Sequence, residues 1–89
     1  MTTMFVRHTV SNYDTWRKAY DEFASIQNAK GVTSQAVYQA IDNPNDITVT
    51  HEFASVQVAQ AFVSSDELKM AMQNAGVMGA PTIWFTNKK

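Results

Sequence analysis

The chain has 89 residues, a formal net charge of −1, two histidines and no cysteine. A chain this short forms one domain, residues 1–89, with a modest core that oligomerisation would enlarge. Without cysteine, neither a disulfide nor a thiolate metal site can stabilise it. The near-neutral charge and the scattered lysines and arginines exclude the concentrated basic patch that a nucleic acid partner requires. No stretch resembles a signal peptide or approaches the ~18 apolar residues of a membrane span, so we expect a cytoplasmic protein without membrane contact.

The first predicted strand runs from Met4 to Val10, where the side chains of the two faces alternate along the segment. A helix follows, because Ser11 and Asn12 are favourable N-cap residues and the apolar residues after them recur at helical spacing. The apolar stripe of this helix consists of Tyr13, Trp16, Tyr20, Phe23, Ala24 and Gln27. A cationic residue and a glycine, Lys30–Gly31, are typical of a helix C-terminus, so we expect one continuous helix up to this point.

A β-hairpin is predicted next, with strands over Thr33–Ile41 and Ile47–Phe53. The residues between them, Asp42–Asp46, are of the types that form turns. The second of these strands alternates cleanly, with Ile47, Val49, His51 and Phe53 on one face. His51 therefore shares its face with apolar side chains, as His8 does in the first strand.

Two short helices and a last strand complete the chain. Ser55 is the expected N-cap of a helix that extends to about Val63, and Ser64 with Glu67 has the spacing of a capping box for the next helix. Gly76 is expected to end that helix, and the residues Gly79–Pro81 lead into the last strand, Thr82–Asn87.

This order of elements predicts an α+β fold of the ferredoxin-like, split βαβ type, with a four-stranded antiparallel sheet and the helices on one face. Strands one and three are expected in the centre of the sheet. The opposite face would carry Phe5, Tyr38 and Trp84, each of which buries roughly 150 to 250 Å² when covered. A single subunit has nothing to cover these rings, so we predict a homodimer in which the two sheets face each other. On the same face, Arg7 and Glu52 are expected to form an ion pair at the dimer contact.

His8 and His51 are the candidate catalytic residues, since an imidazole in a partly dry cavity can accept a proton from a phenol or bind an oxyanion. If the first and third strands pair about their midpoints, the two rings lie one diagonal apart, roughly 7 to 8 Å between backbones, and one ligand could contact both. The alternative is a pair of structural histidines in the core. Without a nearby Asp, Glu or Cys on that face, a metal site is not expected.

A ligand pocket is expected between the first long helix and the sheet. Its predicted lining consists of Trp16, Tyr20, Phe23, Gln27, Phe53 and Phe62. Ordinary core packing explains the aromatic stripe equally well, because any amphipathic helix needs such a spacing. Gln27 stands out as an amide on an apolar stripe, and it needs a hydrogen-bond partner if it is buried.

Four segments carry a resemblance to a known family: YDTWRKAY (13–20), DNPN (42–45), SDELK (65–69) and AGVMGAP (75–81). Together they resemble the dimeric α+β barrel superfamily, and within it the small proteins grouped with the antibiotic biosynthesis monooxygenases. The resemblance implies a homodimeric barrel with one ligand cavity between the sheet and the helices of each subunit. It also implies oxidation of aromatic, polyketide-like substrates by molecular oxygen without metal or flavin.

Two functions are therefore expected from the sequence. The first is a cofactor-independent monooxygenase that acts on an aromatic or quinone-like substrate. The alternative is a non-catalytic homodimer that binds a small hydrophobic ligand or serves as an assembly module. Haem-degrading relatives use a histidine on a helix, whereas both histidines here fall on predicted strands, so we expect no haem and no other cofactor.

Overall fold

The computed structural model describes residues 1–89 and contains four strands and four helices. Along the chain these are β1 (Thr2–Val10), α1 (Tyr13–Glu22), α2 (Ala24–Ala29), β2 (Ser34–Ala40), β3 (Asn43–Phe53), α3 (Val56–Val63), α4 (Asp66–Asn74) and β4 (Val77–Asn87). None of the helices is both long and apolar enough to cross a lipid bilayer.

The four strands form one antiparallel sheet in the order β2-β3-β1-β4, which confirms the predicted ferredoxin-like α+β fold. β1 and β3 are the central strands, as expected. Val6 lies opposite Val49 on one side and opposite Ile83 on the other, so these side chains share one face of the sheet. That face is covered by the helices.

The core lies between this face and the helices because the inward residues of β1 and β3 are the apolar ones. One cluster surrounds Phe53 and Phe62, and a second surrounds Trp16. The other face of the sheet has no layer over it. There the rings of Phe5 and Trp84 stack with their centroids 5.2 Å apart, and Tyr38 keeps 57% of its surface exposed.

Side-chain oxygens cap the starts of three helices. Asn12 Oδ1 accepts a hydrogen bond from the Thr15 backbone N–H at 3.0 Å, and Ser55 is the N-cap of α3, both as predicted. The predicted capping box at Ser64 is wrong, because the C-cap of α3 falls on that residue. Ser65 takes the N-cap position of α4 instead, where its Oγ accepts from the Leu68 N–H at 3.3 Å.

The long first helix is interrupted at Phe23, which separates α1 from α2. Its backbone N–H is shared between the carbonyls of Ala19 and Tyr20, so the turn is tighter than that of a regular α-helix. Gly31 follows the end of α2 with φ 97°, a conformation that favours glycine, and a Cβ there would lie 2.7 Å from Val58 Cγ1.

The largest differences from the predicted strand boundaries are at the starts of β3 and β4. The hairpin turn is tighter than expected, since Ala40 already pairs with Asn43 and the residues 44–46 belong to β3. β4 begins at Val77, so Gly79–Pro81 lies inside the strand rather than before it. Pro81 is tolerated because β4 is an edge strand, where a missing N–H disrupts fewer ladder bonds.

The predicted ion pair between Arg7 and Glu52 does not form within the chain. The Arg7 guanidinium donates two hydrogen bonds to the carboxylate of Asp46, with distances of 3.1 and 2.7 Å. The register explains the difference, because Arg7 lies opposite Thr48, whereas Glu52 lies opposite Thr3, four residues before Arg7 in β1.

Candidate functional site

A small cavity of about 40 Å³ lies between the helix-facing side of the sheet and the helices. Its walls come from β1 and β3 on one side and from α1, α2 and α4 on the other. The lining is mostly apolar and contains two histidines and one amide: Met4, Val6, His8, Trp16, Ala19, Tyr20, Phe23, Gln27, Val49, His51, Leu68, Ala71, Met72 and Ala75. The site is therefore apolar with a few polar groups, as ligand sites usually are.

Both histidines are buried on this side of the sheet, but they are farther apart than predicted. His51 lies opposite Met4, so His8 is displaced by four residues along β1, about 13 Å at the usual rise of a strand. The expected spacing of one diagonal is wrong, because β1 and β3 are offset from the midpoint pairing that it assumed. The opposed pair of Val6 and Val49 separates the two rings.

Aromatic rings of α1 bridge the gap between the histidines. The His8 ring lies 5.6 Å from Trp16, Trp16 stacks on Tyr20 at 4.9 Å, and Tyr20 lies 6.3 Å from His51, all between ring centroids. The helical spacing of Trp16 and Tyr20 places both rings over the sheet on consecutive turns. The result is a continuous row of four rings along one side of the cavity.

Polar contacts occur at the His51 end of this row. Gln27 Nε2 lies 3.4 Å from His51 Nε2, and the Tyr20 hydroxyl donates to Gln35 Oε1 at 2.9 Å. Sequence reasoning identified Gln27 but missed Gln35. The signal was its position in β2, since Gln35 lies directly opposite His51 in the register and therefore shares its face.

Burial controls the protonation of these groups. It lowers the pKa of His51 from 6.5 to about 4. Burial also lowers the pKa of His8, against an opposing effect of the Asp46 carboxylate. The pKa of the Tyr20 hydroxyl is raised, mainly by burial and despite an interaction with Gln27 that lowers it. Both imidazoles are therefore neutral at neutral pH, and each can accept a proton or donate one hydrogen bond.

The cavity includes only part of the predicted pocket. Trp16, Tyr20, Phe23 and Gln27 line it, whereas Phe53 and Phe62 lie in the adjoining core cluster. Phe62 still contacts the site, because its ring lies 5.5 Å from that of His51. The cavity also has lining residues from α4 and its C-cap that were not part of the predicted pocket: Leu68, Ala71, Met72 and Ala75.

No group of three or more His, Asp or Glu side chains is close enough together to hold a metal ion. The two histidines are too far apart to share one ion, since metal–nitrogen bonds of about 2 Å require the two rings to be close neighbours.

The buried state of His51 makes stability depend on pH. An imidazole with a pKa of 6.5 when unfolded and about 4 when folded binds a proton first in the unfolded state. The free energy of unfolding should therefore fall by about 3 kcal/mol as the pH decreases from above 6.5 to about 4, at 1.36 kcal/mol per pKa unit. Urea unfolding at a series of pH values measures this change.

A His51→Gln variant is the control, because it keeps the carboxylates and His8 while it removes the titrating ring. The loss of stability between pH 6.5 and 4 should become clearly smaller in this variant. Equal losses in the two proteins would show that His51 is not buried in its neutral form.

Comparison with known proteins supports the assignment of the fold. The family model described as antibiotic biosynthesis monooxygenase matches residues 4–74. No curated protein sequence matches the chain significantly.

Solved structures of the same fold include a protein from Bordetella bronchiseptica provisionally described as an antibiotic biosynthesis monooxygenase, with a TM-score of 0.85 and 13% identity over 99% of this chain and 96% of that one. SnoaB from Streptomyces nogalater, a cofactor-independent oxygenase, has a TM-score of 0.81 and 10% identity over 99% and 92%. Rv0793 from Mycobacterium tuberculosis has a TM-score of 0.73 and 12% identity over 99% and 94%. Identities this low show a shared fold only.

Proposed function

Because the chain belongs to the antibiotic biosynthesis monooxygenase family, we propose that it is a cofactor-independent oxygenase for an aromatic or quinone-like substrate. The observation that carries this proposal is the burial of two neutral histidines in the wall of a mostly apolar cavity. A phenol bound there would meet a proton acceptor in a medium from which water is largely excluded.

His8 is the better candidate for the base. Both of its ring nitrogens are buried and lack a hydrogen-bond partner, whereas His51 Nε2 is in contact with Gln27. For an anthrone-type substrate, His8 removes a proton from the activated CH₂ carbon, and the carbanion transfers one electron to O₂. Recombination forms the C–O bond of a peroxide, which takes the proton back from His8. Loss of the second C–H proton with cleavage of the O–O bond then yields a ketone and water.

The size of the cavity favours the alternative function. About 40 Å³ accommodates a water-sized molecule, whereas sites for drug-sized ligands measure about 300 to 1,000 Å³. A tricyclic substrate therefore requires the helices and the sheet to separate around the cavity. If the cavity does not open, the protein is a non-catalytic module that binds at most a very small ligand.

We also propose that the protein acts as a homodimer. The uncovered sheet face carries the stacked rings of Phe5 and Trp84, and the side chains of Tyr38 and Met78 are also exposed. Threonines also lie on this face, since Thr50 is opposite Phe5 and Thr48 is opposite Arg7. A second copy of the same face would remove the rings from water, which is the main source of affinity in such contacts.

Oxygen consumption with anthrone as substrate tests the enzymatic proposal. The His8→Ala variant should consume oxygen about 100-fold more slowly than the original protein, since a positioned general base contributes ~10²-fold or more. Thr9→Ala, an exposed neighbour on the same strand, is the control and should retain full activity. If both His8→Ala and His51→Ala consume oxygen at the original rate, the catalytic role of the histidines is wrong. If anthrone and 1,8-dihydroxynaphthalene are not oxidised by the original protein either, the non-catalytic function is favoured.

A further inference from the structure

The contact between Gln27 and His51 determines which ring nitrogen of His51 carries the proton. Gln27 is 1% exposed and His51 4% exposed, so neither side chain can rely on water for its hydrogen bonds. Their Nε2 atoms lie 3.4 Å apart. An amide nitrogen can only donate, so His51 Nε2 must be the acceptor in this contact.

The neighbouring tyrosine is consistent with this orientation of the amide. The proton of the Tyr20 hydroxyl is donated to Gln35 Oε1 at 2.9 Å, which leaves the Tyr20 oxygen as an acceptor. Burial raises the pKa of this hydroxyl, and Gln27 opposes that effect, as a nearby donor would. The structure directs the NH₂ group of Gln27 towards the His51 ring, with the two Nε2 atoms 3.4 Å apart.

The consequence for His51 is a specific tautomer. Because Nε2 accepts, the neutral ring carries its proton on Nδ1. This Nδ1 is buried and has no partner, and the same is true of Gln27 Oε1. His51 Nδ1–H is a donor and Gln27 Oε1 is an acceptor, and both side chains line the cavity. Buried polar atoms without partners are rare in folded proteins and indicate a functional role or a missing ligand.

We infer that Gln27 is a positioning residue that holds His51 in the Nδ1–H tautomer, and that His51 Nδ1–H and Gln27 Oε1 together recognise a dihydroxyaromatic ring. One hydroxyl oxygen of the ligand accepts a hydrogen bond from His51 Nδ1–H. The second hydroxyl group of the ligand donates a hydrogen bond to Gln27 Oε1. His51 thus orients the substrate as a neutral donor, while the proton transfer belongs to His8. The ligand part of this inference rests on the proposed function, whereas the tautomer does not.

Nitrogen-15 NMR of the imidazole rings tests the tautomer directly. At pH 7 the original protein should show His51 neutral with its proton on Nδ1, and a His8→Gln variant assigns the signals. In Gln27→Leu no donor faces Nε2, and in Gln27→Glu a carboxylate accepts from it. Both variants should move the proton to Nε2, and Gln27→Glu should also raise the pKa of His51.

A proton on Nε2 in the original protein would overturn the inference, as would an unchanged Nδ1–H tautomer in either variant. The position of the His51 proton is measured in the original protein alone, so the test remains valid if Gln27→Leu does not fold. A merely structural role of Gln27 in packing would change stability without moving the proton between the two nitrogens.

Calorimetric titration with 1,8-dihydroxynaphthalene and 1,8-dimethoxynaphthalene, both under argon, tests the ligand part. Methylation removes the donors but keeps the ring. The original protein should bind the dihydroxy compound roughly tenfold more tightly, the equivalent of one net hydrogen bond, and Gln27→Leu should lose most of this preference. Equal binding of the two compounds, or no binding of either, overturns the ligand part. Selective binding without oxygen consumption would refute the oxygenase proposal and leave this inference intact.

Discussion

A Trp84→Glu variant is expected to be a folded monomer under conditions in which the original protein sediments as a dimer. Trp84 lies opposite Phe5 on the uncovered sheet face and stacks on its ring with an interplanar angle of 5°. It nevertheless remains 40% exposed in the single chain. Large aromatic residues in this situation usually dominate the energy of an interface.

The expected effect is large because each dimer contains the substitution twice. Loss of about 2 kcal/mol per copy amounts to about 4 kcal/mol, or roughly a thousandfold in the dissociation constant. The two new carboxylates would also face the opposing sheet, where burying an unpaired charge is unfavourable. Sedimentation velocity at micromolar concentration measures the state of association, and circular dichroism verifies the fold.

Met70→Glu is the matched control for this experiment. Met70 is an exposed apolar residue on α4, on the helical side of the molecule, so its replacement should leave the dimer intact. A dimer of Trp84→Glu as stable as the original would mean that the copies associate through another surface. A monomeric original protein would remove the dimer proposal altogether.

A Phe53→Ala substitution is expected to lower the free energy of unfolding by about 3 to 5 kcal/mol. Phe53 is 0% exposed, and its ring packs against Phe62 with centroids 5.5 Å apart. Truncation leaves a cavity between β3 and α3 that the neighbouring side chains fill only in part. Since small domains are stable by about 5 to 15 kcal/mol, this single change removes a large share of the total.

Phe85→Ala provides the comparison within the same core. Phe85 packs against the same cluster but is only partly buried on the edge strand β4, so its truncation should cost clearly less. Urea unfolding at one fixed protein concentration measures both variants, because the stability of a dimer depends on concentration. A cost for Phe53→Ala no greater than that for Phe85→Ala would show that the core is not centred on Phe53.

Several features of the fold are determined by local sequence alone. The period-2 pattern of β1 and β3 and the helical stripes predict the order of the elements and the face that each one buries. The caps at Asn12 and Ser55 follow from the chemistry of short polar side chains next to free backbone N–H groups. These features depend on interactions between residues near each other in the chain, which is why the sequence determines them.

The geometry of the site, in contrast, was decided by contacts between distant segments. The separation of His8 and His51 depends on the offset between β1 and β3, and nothing near either residue in the sequence specifies that offset. No glycine, proline or capping residue near Phe23 predicts the break between α1 and α2. Arg7 pairs with Asp46 rather than Glu52 for the same reason, since the register alone determines which carboxylate lies within reach.

The environment of Gln27 depends both on local sequence and on contacts between distant segments. Its sequence position determined that an amide would be buried on an apolar stripe and would need a partner. Only the tertiary structure decided that the partner is His51, because β3 and the break between α1 and α2 bring the two side chains together from 24 residues apart. Side-chain periodicity specifies which face is buried, whereas strand register and helix docking specify which atoms meet there, and chemistry depends on the atoms.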